Sequence, residues 1–226
     1  KPIIENMDII LGSIASLIGI GFTLELILKS FKSKKPYIIS WAVAVFMYTI
    51  ATIALVSGLI DGWNYMNFGI FYFFGGITNV PAFGIGSAYL IFDNNRVNVI
   101  SGLYILFVLG ALYSIITSGI PDFSNISGIP EGSELYEISG PRMWAILGNS
   151  MGSISLVGIA AYSIYKFRRV NEDLVTTNVL IVVGSFSPAL SGVLLALGDG
   201  ASKTLSLLVG MFLIYLGYRV SQRPKI

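Results

Sequence analysis

The residue types that carry most protein chemistry are missing from this chain. Its 226 residues include no cysteine and no histidine. Disulfides, zinc and iron–sulfur centres, His-ligated haem or copper, and Ser–His or Cys–His nucleophiles are excluded with them. What remains is a small set of polar residues in apolar surroundings. Glu25 interrupts a long apolar stretch, and Lys29 follows it at i+4. A carboxylate at such a place can hold a proton or a cation, but Glu before Lys at this spacing also forms a favourable helical pair. The pair with Lys29 is the expected role. Two further sites centre on proline, in Thr78-Asn79-Val80-Pro81 and in Ser185-Phe186-Ser187-Pro188. Proline lacks an N–H and frees the carbonyl one turn before it. Freed carbonyls beside Asn79 and Pro81, or beside Ser187 and Pro188, could line a solute site, as broken helices do in many transporters. The plainer expectation is a kink whose freed groups are satisfied by neighbouring side chains. No catalytic constellation is present, so no enzyme and no cofactor is expected.

The elements that must hold these residues follow from charge placement. Only 12% of the residues are charged and 54% are hydrophobic, where a soluble domain carries about 25% charged residues. The net charge of +2 is too small for a nucleic-acid-binding surface. A membrane-spanning helix needs about 20 apolar residues. Charge-poor stretches of that kind predict spans over 9–28, 37–60, 68–92, 97–117, 142–165, 174–197 and 203–218. The last is short, but Lys203 and Arg219 can snorkel at its ends. Gly62–Asn67 reads as an interfacial turn with aromatic anchors. The predicted fold is all-α: one polytopic seven-helix transmembrane domain over residues 1–226, in contact with the lipid bilayer. Residues 9–28 have the length of a span, not of a signal-peptide core.

Lysines and arginines divide eleven to three between alternate ends of these spans. The positive-inside rule then predicts an external N-terminus and a cytoplasmic C-terminus in the plasma membrane. Glu5, Asp8, Asp61, Asp122, Glu131, Glu134, Glu137 and Asp199 fall on the external side.

One long connection, 118–141, lies on that side. It contains Ser118-Gly119-Ile120-Pro121-Asp122 and then Ser127-Gly128-Ile129-Pro130-Glu131, two copies of one turn-forming pattern. Asn125-Ile126-Ser127 is the only N-x-[ST] sequon, which makes Asn125 a candidate glycosylation site. The loop's acids lack EF-hand spacing and read as a solvated surface, so no metal is expected. A long external loop of this kind is expected to dock a partner.

Small residues predict close helix seams: Gly12, Ser16 and Gly19 in the first span, and Gly148, Asn149, Ser150, Gly152, Ser153, Ser155 and Gly158 in the fifth. Retinal is excluded, because the only lysine of the last span, Lys203, stands at its outer end and the third span has no carboxylate. Ser16–Gly21 and Ser155–Ala160 share a short pattern, and each precedes a basic loop. That suggests two parallel three-helix units joined by the fourth span. Sugar transporters of the SWEET type use this plan, although their Pro-Gln dipeptide is absent here.

Trp41, Gly58, Gly62-Trp63, Phe71-Tyr72, Gly75, Asn79-Val80-Pro81, Gly86-Ser87 and Tyr89-Leu90 form one connected pattern. Pro130, Gly132-Ser133-Glu134 and Gly140-Pro141-Arg142 form a second. Together they resemble a family of uncharacterised seven-span integral membrane proteins of bacteria and archaea. The resemblance implies a fold and a location but no functional residue. The expected function is that of an accessory subunit packed with other membrane proteins. A transporter of small neutral solutes is the alternative, and a membrane sensor the second.

Overall fold

The computed structural model describes residues 2–124, 126, 128–196 and 203–223, with side chains left out for 2–5, 188–196 and 203. The candidate glycosylation site Asn125 lies outside the described residues. Over those residues the protein is helical, with no strand. The long helices are α1 (Pro2–Ser33), α2 (Pro36–Asp61), α5 (Asn94–Thr117), α7 (Pro141–Phe167), α8 (Glu172–Ala196) and α9 (Lys203–Ser221). Between α2 and α5 the chain forms α3 (Tyr65–Phe71), a π-helical segment Tyr72–Thr78, and α4 (Asn79–Ile91) as one continuous rod. A short α6 (Gly132–Leu135) sits in the long connection.

Local chemistry sets the ends. Pro36 and Pro141 open α2 and α7 at positions where a helix has no use for an N–H. Lys34 takes a left-handed φ of 51° in the tight reversal before α2, and Gly62, with φ 85°, ends that helix. The rod starts earlier than the aromatic turn suggested, at Tyr65. The Asn64 side chain caps the N–H groups of Met66 and Asn67, and Asn67 returns a bond to the Asn64 N–H.

Among the described residues, six helices are long and apolar enough to cross a membrane: Asn6–Ser33, Pro36–Asp61, Tyr65–Ile91, Asn94–Thr117, Pro141–Phe167 and Thr204–Ser221. The seventh expected span is not among them. Helix α8 covers it with 25 residues, but its first turn carries Glu172 and Asp173, and the part described with side chains ends at Ser187. The fold is thus that of a helical, multi-pass membrane protein.

The helices close into a ring. Helix α1 packs on α2, α2 on the α3–α4 rod, α4 on α7, α7 on α8, α8 on α9, and α9 returns to α1. Helix α5 stays outside the ring. Only 11% of its most apolar stretch is buried, against 56% for α2. The ring's centre is filled by Trp41, Val45, Phe83, Ile181, Met211 and Ile214. The basic loops meet at one end, where Lys35, Asn171, Asp173 and Arg223 line a common cleft. Residues 128–136 of the long connection pack over the other end.

Candidate functional site

Pro81 sets the local geometry. Without its N–H the rod cannot keep α-helical bonding, and the backbone widens into the π segment that ends at Thr78. Each exposed carbonyl then meets something. The Thr78 hydroxyl donates to Phe73 O at 3.0 Å, Asn149 Nδ2 donates to Gly76 O at 2.7 Å, and Tyr104 OH donates to Thr78 O at 2.7 Å. Ile77 O, the carbonyl one turn before Pro81, faces Gly148, where an added Cβ would stand 2.5 Å from it. π turns of this sort occur frequently at functional sites.

Asn79 begins α4 at the end of this widened turn. It is buried, 6% exposed, and its side-chain oxygen has no hydrogen-bond partner. A buried amide oxygen without a donor costs about 1–3 kcal/mol. Asn79 lines a cavity of about 290 Å³ whose walls include Tyr48, Thr52, Tyr72 and Leu207. Among the described residues, Glu131 is the one charged residue that borders it.

The roof of this cavity is the long connection, at Ile129–Gly132. Three contacts hold it down. Trp63 Nε1 donates to Gly128 O at 2.8 Å. Gly132 lies so close to the Tyr72 ring that a Cβ there would be 2.3 Å from it. Tyr136 is buried against Phe68 and Tyr72, with ring centroids 5.5 and 5.2 Å apart. Burial, with Tyr65 and Tyr72 nearby, pushes the Tyr136 phenol up to about 12. Both copies of the repeated pattern turn on a left-handed glycine, Gly119 at φ 82° and Gly128 at φ 83°. In the second half of the loop the acids Glu131, Glu134 and Glu137 are exposed, as expected of a solvated surface, while Pro130 and Tyr136 are buried. Its aromatic and proline residues find apolar surface on the bundle and fold back as a lid. Among its acids, Glu134 accepts the Glu131 N–H at 2.7 Å.

The other expected residues fall elsewhere. Glu25 does not pair with Lys29. Its carboxylate lies 3.7 Å from Arg219 on α9, and Lys29 stands over the Tyr218 ring. The i+4 partner loses because α9 brings a guanidinium and an aromatic ring to the same face. Ser187 is buried and donates across to Ser206 O at 2.8 Å instead of to its own helix. The carbonyl freed by Pro188, Gly184 O, faces Gly210 of α9, where a Cβ would stand 2.6 Å away. The seams at Gly12, Gly19, Gly148 and Gly152 are close contacts, but a Cβ on Gly158 would meet nothing within 4 Å.

Several residues escaped the sequence reading. Tyr48 and Thr52 line the cavity, Tyr104 holds the π turn, and Asn178 Nδ2 donates to Ser163 Oγ at 2.9 Å. Their signal was a hydroxyl or amide inside an apolar stretch, which alone does not tell which way a side chain faces. A second, polar cleft of about 610 Å³ opens at the basic end, lined by Tyr37, Asn171, Thr177 and Gln222 among others. The packed centre around Val45, Phe83 and Met211 separates it from the Asn79 cavity. No family model, no curated protein and no solved structure matches the chain.

Proposed function

We propose that this protein binds a small neutral solute in the Asn79 cavity and carries it across the plasma membrane. In this reading it has seven spans, with α8 as the sixth, an external N-terminus and a cytoplasmic C-terminus. It belongs with the prokaryotic seven-span family it resembles. The observation that carries the reading is Asn79: a buried amide whose oxygen lacks a donor, at a π turn, on the wall of a roofed cavity. That oxygen is closed off from the cavity in this conformation, so a hydroxyl- or amide-bearing solute would supply the donor only on turning the side chain. The near-absence of charge around the cavity favours a neutral ligand. A polar cleft at the opposite end, beyond the packed centre, would serve as the second vestibule that alternating access requires.

The test is solute uptake and solvent-exchange swelling in proteoliposomes, run over a panel of sugars, polyols and small amides. A solute that raises the melting temperature and enters wild-type vesicles, but not Asn79→Leu vesicles, supports the reading. Vesicles no more permeable than protein-free ones over the whole panel would sink it.

An accessory role in a larger membrane complex is the second reading. Helix α5 favours it, since this apolar helix packs outside the ring with most of its surface uncovered. Purification in mild detergent, followed by identification of stoichiometric membrane-protein partners, distinguishes the two.

A further inference from the structure

An apolar groove runs between α5 and α7, with α4 as its floor. It consists of two adjoining hollows of about 480 and 450 Å³ that share Ile85, Ile100, Ile154 and Ser155. One end reaches Phe107, and the other opens beside Phe92, Asp93 and Arg96. From Phe107 to Arg96 along α5 the helical rise is about 16 Å. That is close to half of a hydrocarbon core of about 30 Å, the depth of one leaflet.

The lining offers hydrocarbon only. Tyr104 and Ser155 are its two hydroxyls, and both are spent on backbone carbonyls, Thr78 O at 2.7 Å and Met151 O at 2.6 Å. A polar solute would find no partner there. The mouth is different. Arg96 is exposed and forms no ion pair among the described residues. Lys166 stands at the same end, donating to Tyr162 OH at 2.9 Å, and the Tyr162 ring packs on Phe92 at 5.4 Å. Against these two cations the mouth holds one acid, Asp93. The groove is therefore apolar along one leaflet's depth and net cationic where that leaflet's headgroups lie.

We infer that this groove seats one chain of an anionic phospholipid, with the headgroup phosphate on Arg96. The site is independent of the Asn79 cavity and would stand if no solute were carried. Gly158 lines the groove and has open space where its Cβ would be. Gly158→Phe therefore fills the groove without pressing on backbone. Gly102 also has open space but does not line it, so Gly102→Phe is the matched control.

The experiment is native mass spectrometry of the purified, delipidated protein titrated with phosphatidylglycerol or with phosphatidylcholine of the same chains. Wild type and Gly102→Phe should each retain one phosphatidylglycerol in preference to phosphatidylcholine. Arg96→Ala should weaken phosphatidylglycerol about fivefold and phosphatidylcholine less, because its choline cation already offsets the phosphate. Gly158→Phe should lose both. Equal retention of phosphatidylglycerol by Gly158→Phe and Gly102→Phe overturns the proposal, as does a wild type indifferent to headgroup.

Discussion

The carbonyl oxygen of Ile77 faces the α-carbon of Gly148 so closely that a methyl group on Gly148 would stand 2.5 Å from it. Ile77 is the residue whose helical bond Pro81 removes. The same arrangement recurs at Gly184, one turn before Pro188, whose oxygen faces Gly210. In each case a carbonyl released by proline meets a glycine on the next helix, where only a hydrogen projects. The contact lets the backbones approach and gives the oxygen a weak C–H partner.

Gly148→Ala and Gly210→Ala should therefore destabilise the bundle, each by about 1–3 kcal/mol as overpacked seams do. Thermal melts in detergent would show lower transition temperatures for both. Gly158→Ala, which meets nothing within 4 Å, should melt like wild type.

Asn79→Leu should separate stability from binding. The asparagine oxygen has no partner, so replacing the amide with an apolar group of similar size removes a desolvation cost without removing a bond to that atom. The melting temperature should hold or rise. Any stabilisation by a solute should disappear, which a melt with and without that solute reads directly.

Tyr136 gives the lid a dependence on alkaline pH. Its phenol is pushed up to about 12 in the folded protein, against about 10 for a free tyrosine. The packed lid favours the neutral phenol. Its stability is complete below pH 10 and declines as the pH rises toward 12, where the released loop ionises first. Hydrogen exchange over 128–136 should accelerate across that window, and Tyr136→Phe should exchange at a pH-independent opening equilibrium. A wild-type opening equilibrium that also stays constant would show that the phenol is not packed as described.

The Glu25–Arg219 pair should matter little. The Glu25 side chain is 39% exposed and the Arg219 side chain 60%, and exposed pairs contribute about 0–1 kcal/mol. A double-mutant cycle with Glu25→Gln and Arg219→Gln should give a coupling within that range, shrinking with added salt. Solute uptake should survive Glu25→Gln within about twofold, since a neutral cargo needs no proton site; tenfold loss would point to proton coupling.

The absence of native cysteine makes topology directly measurable. Single cysteines at Lys34 and at Ser139 should be labelled from opposite sides of the membrane. In oriented cells an impermeant maleimide should reach Ser139→Cys and miss Lys34→Cys. The reverse pattern would invert the proposed orientation.

Much of the architecture was legible along the chain. Length of apolar runs, proline positions and the crowding of Lys29–Lys35, Lys166–Arg169 and Arg219–Arg223 are local properties. The bilayer acts on them one segment at a time, so the helices, their approximate ends and the shared basic end needed no knowledge of neighbours. The two proline sites were legible for the same reason, since a missing N–H is a property of one residue. What those sites meet depends on which helix lies alongside. Only the folded ring sets Asn149 and Gly148 against the Pro81 turn, Gly210 against Gly184, and Arg219 in place of Lys29 beside Glu25. Only packing turns half of a polar-looking loop into a lid, because Tyr136 and Gly132 gain apolar contact with Phe68 and Tyr72 that no local pattern records. Hydropathy along a segment determines whether it enters the membrane; the direction each polar group faces there is decided by three-dimensional neighbours.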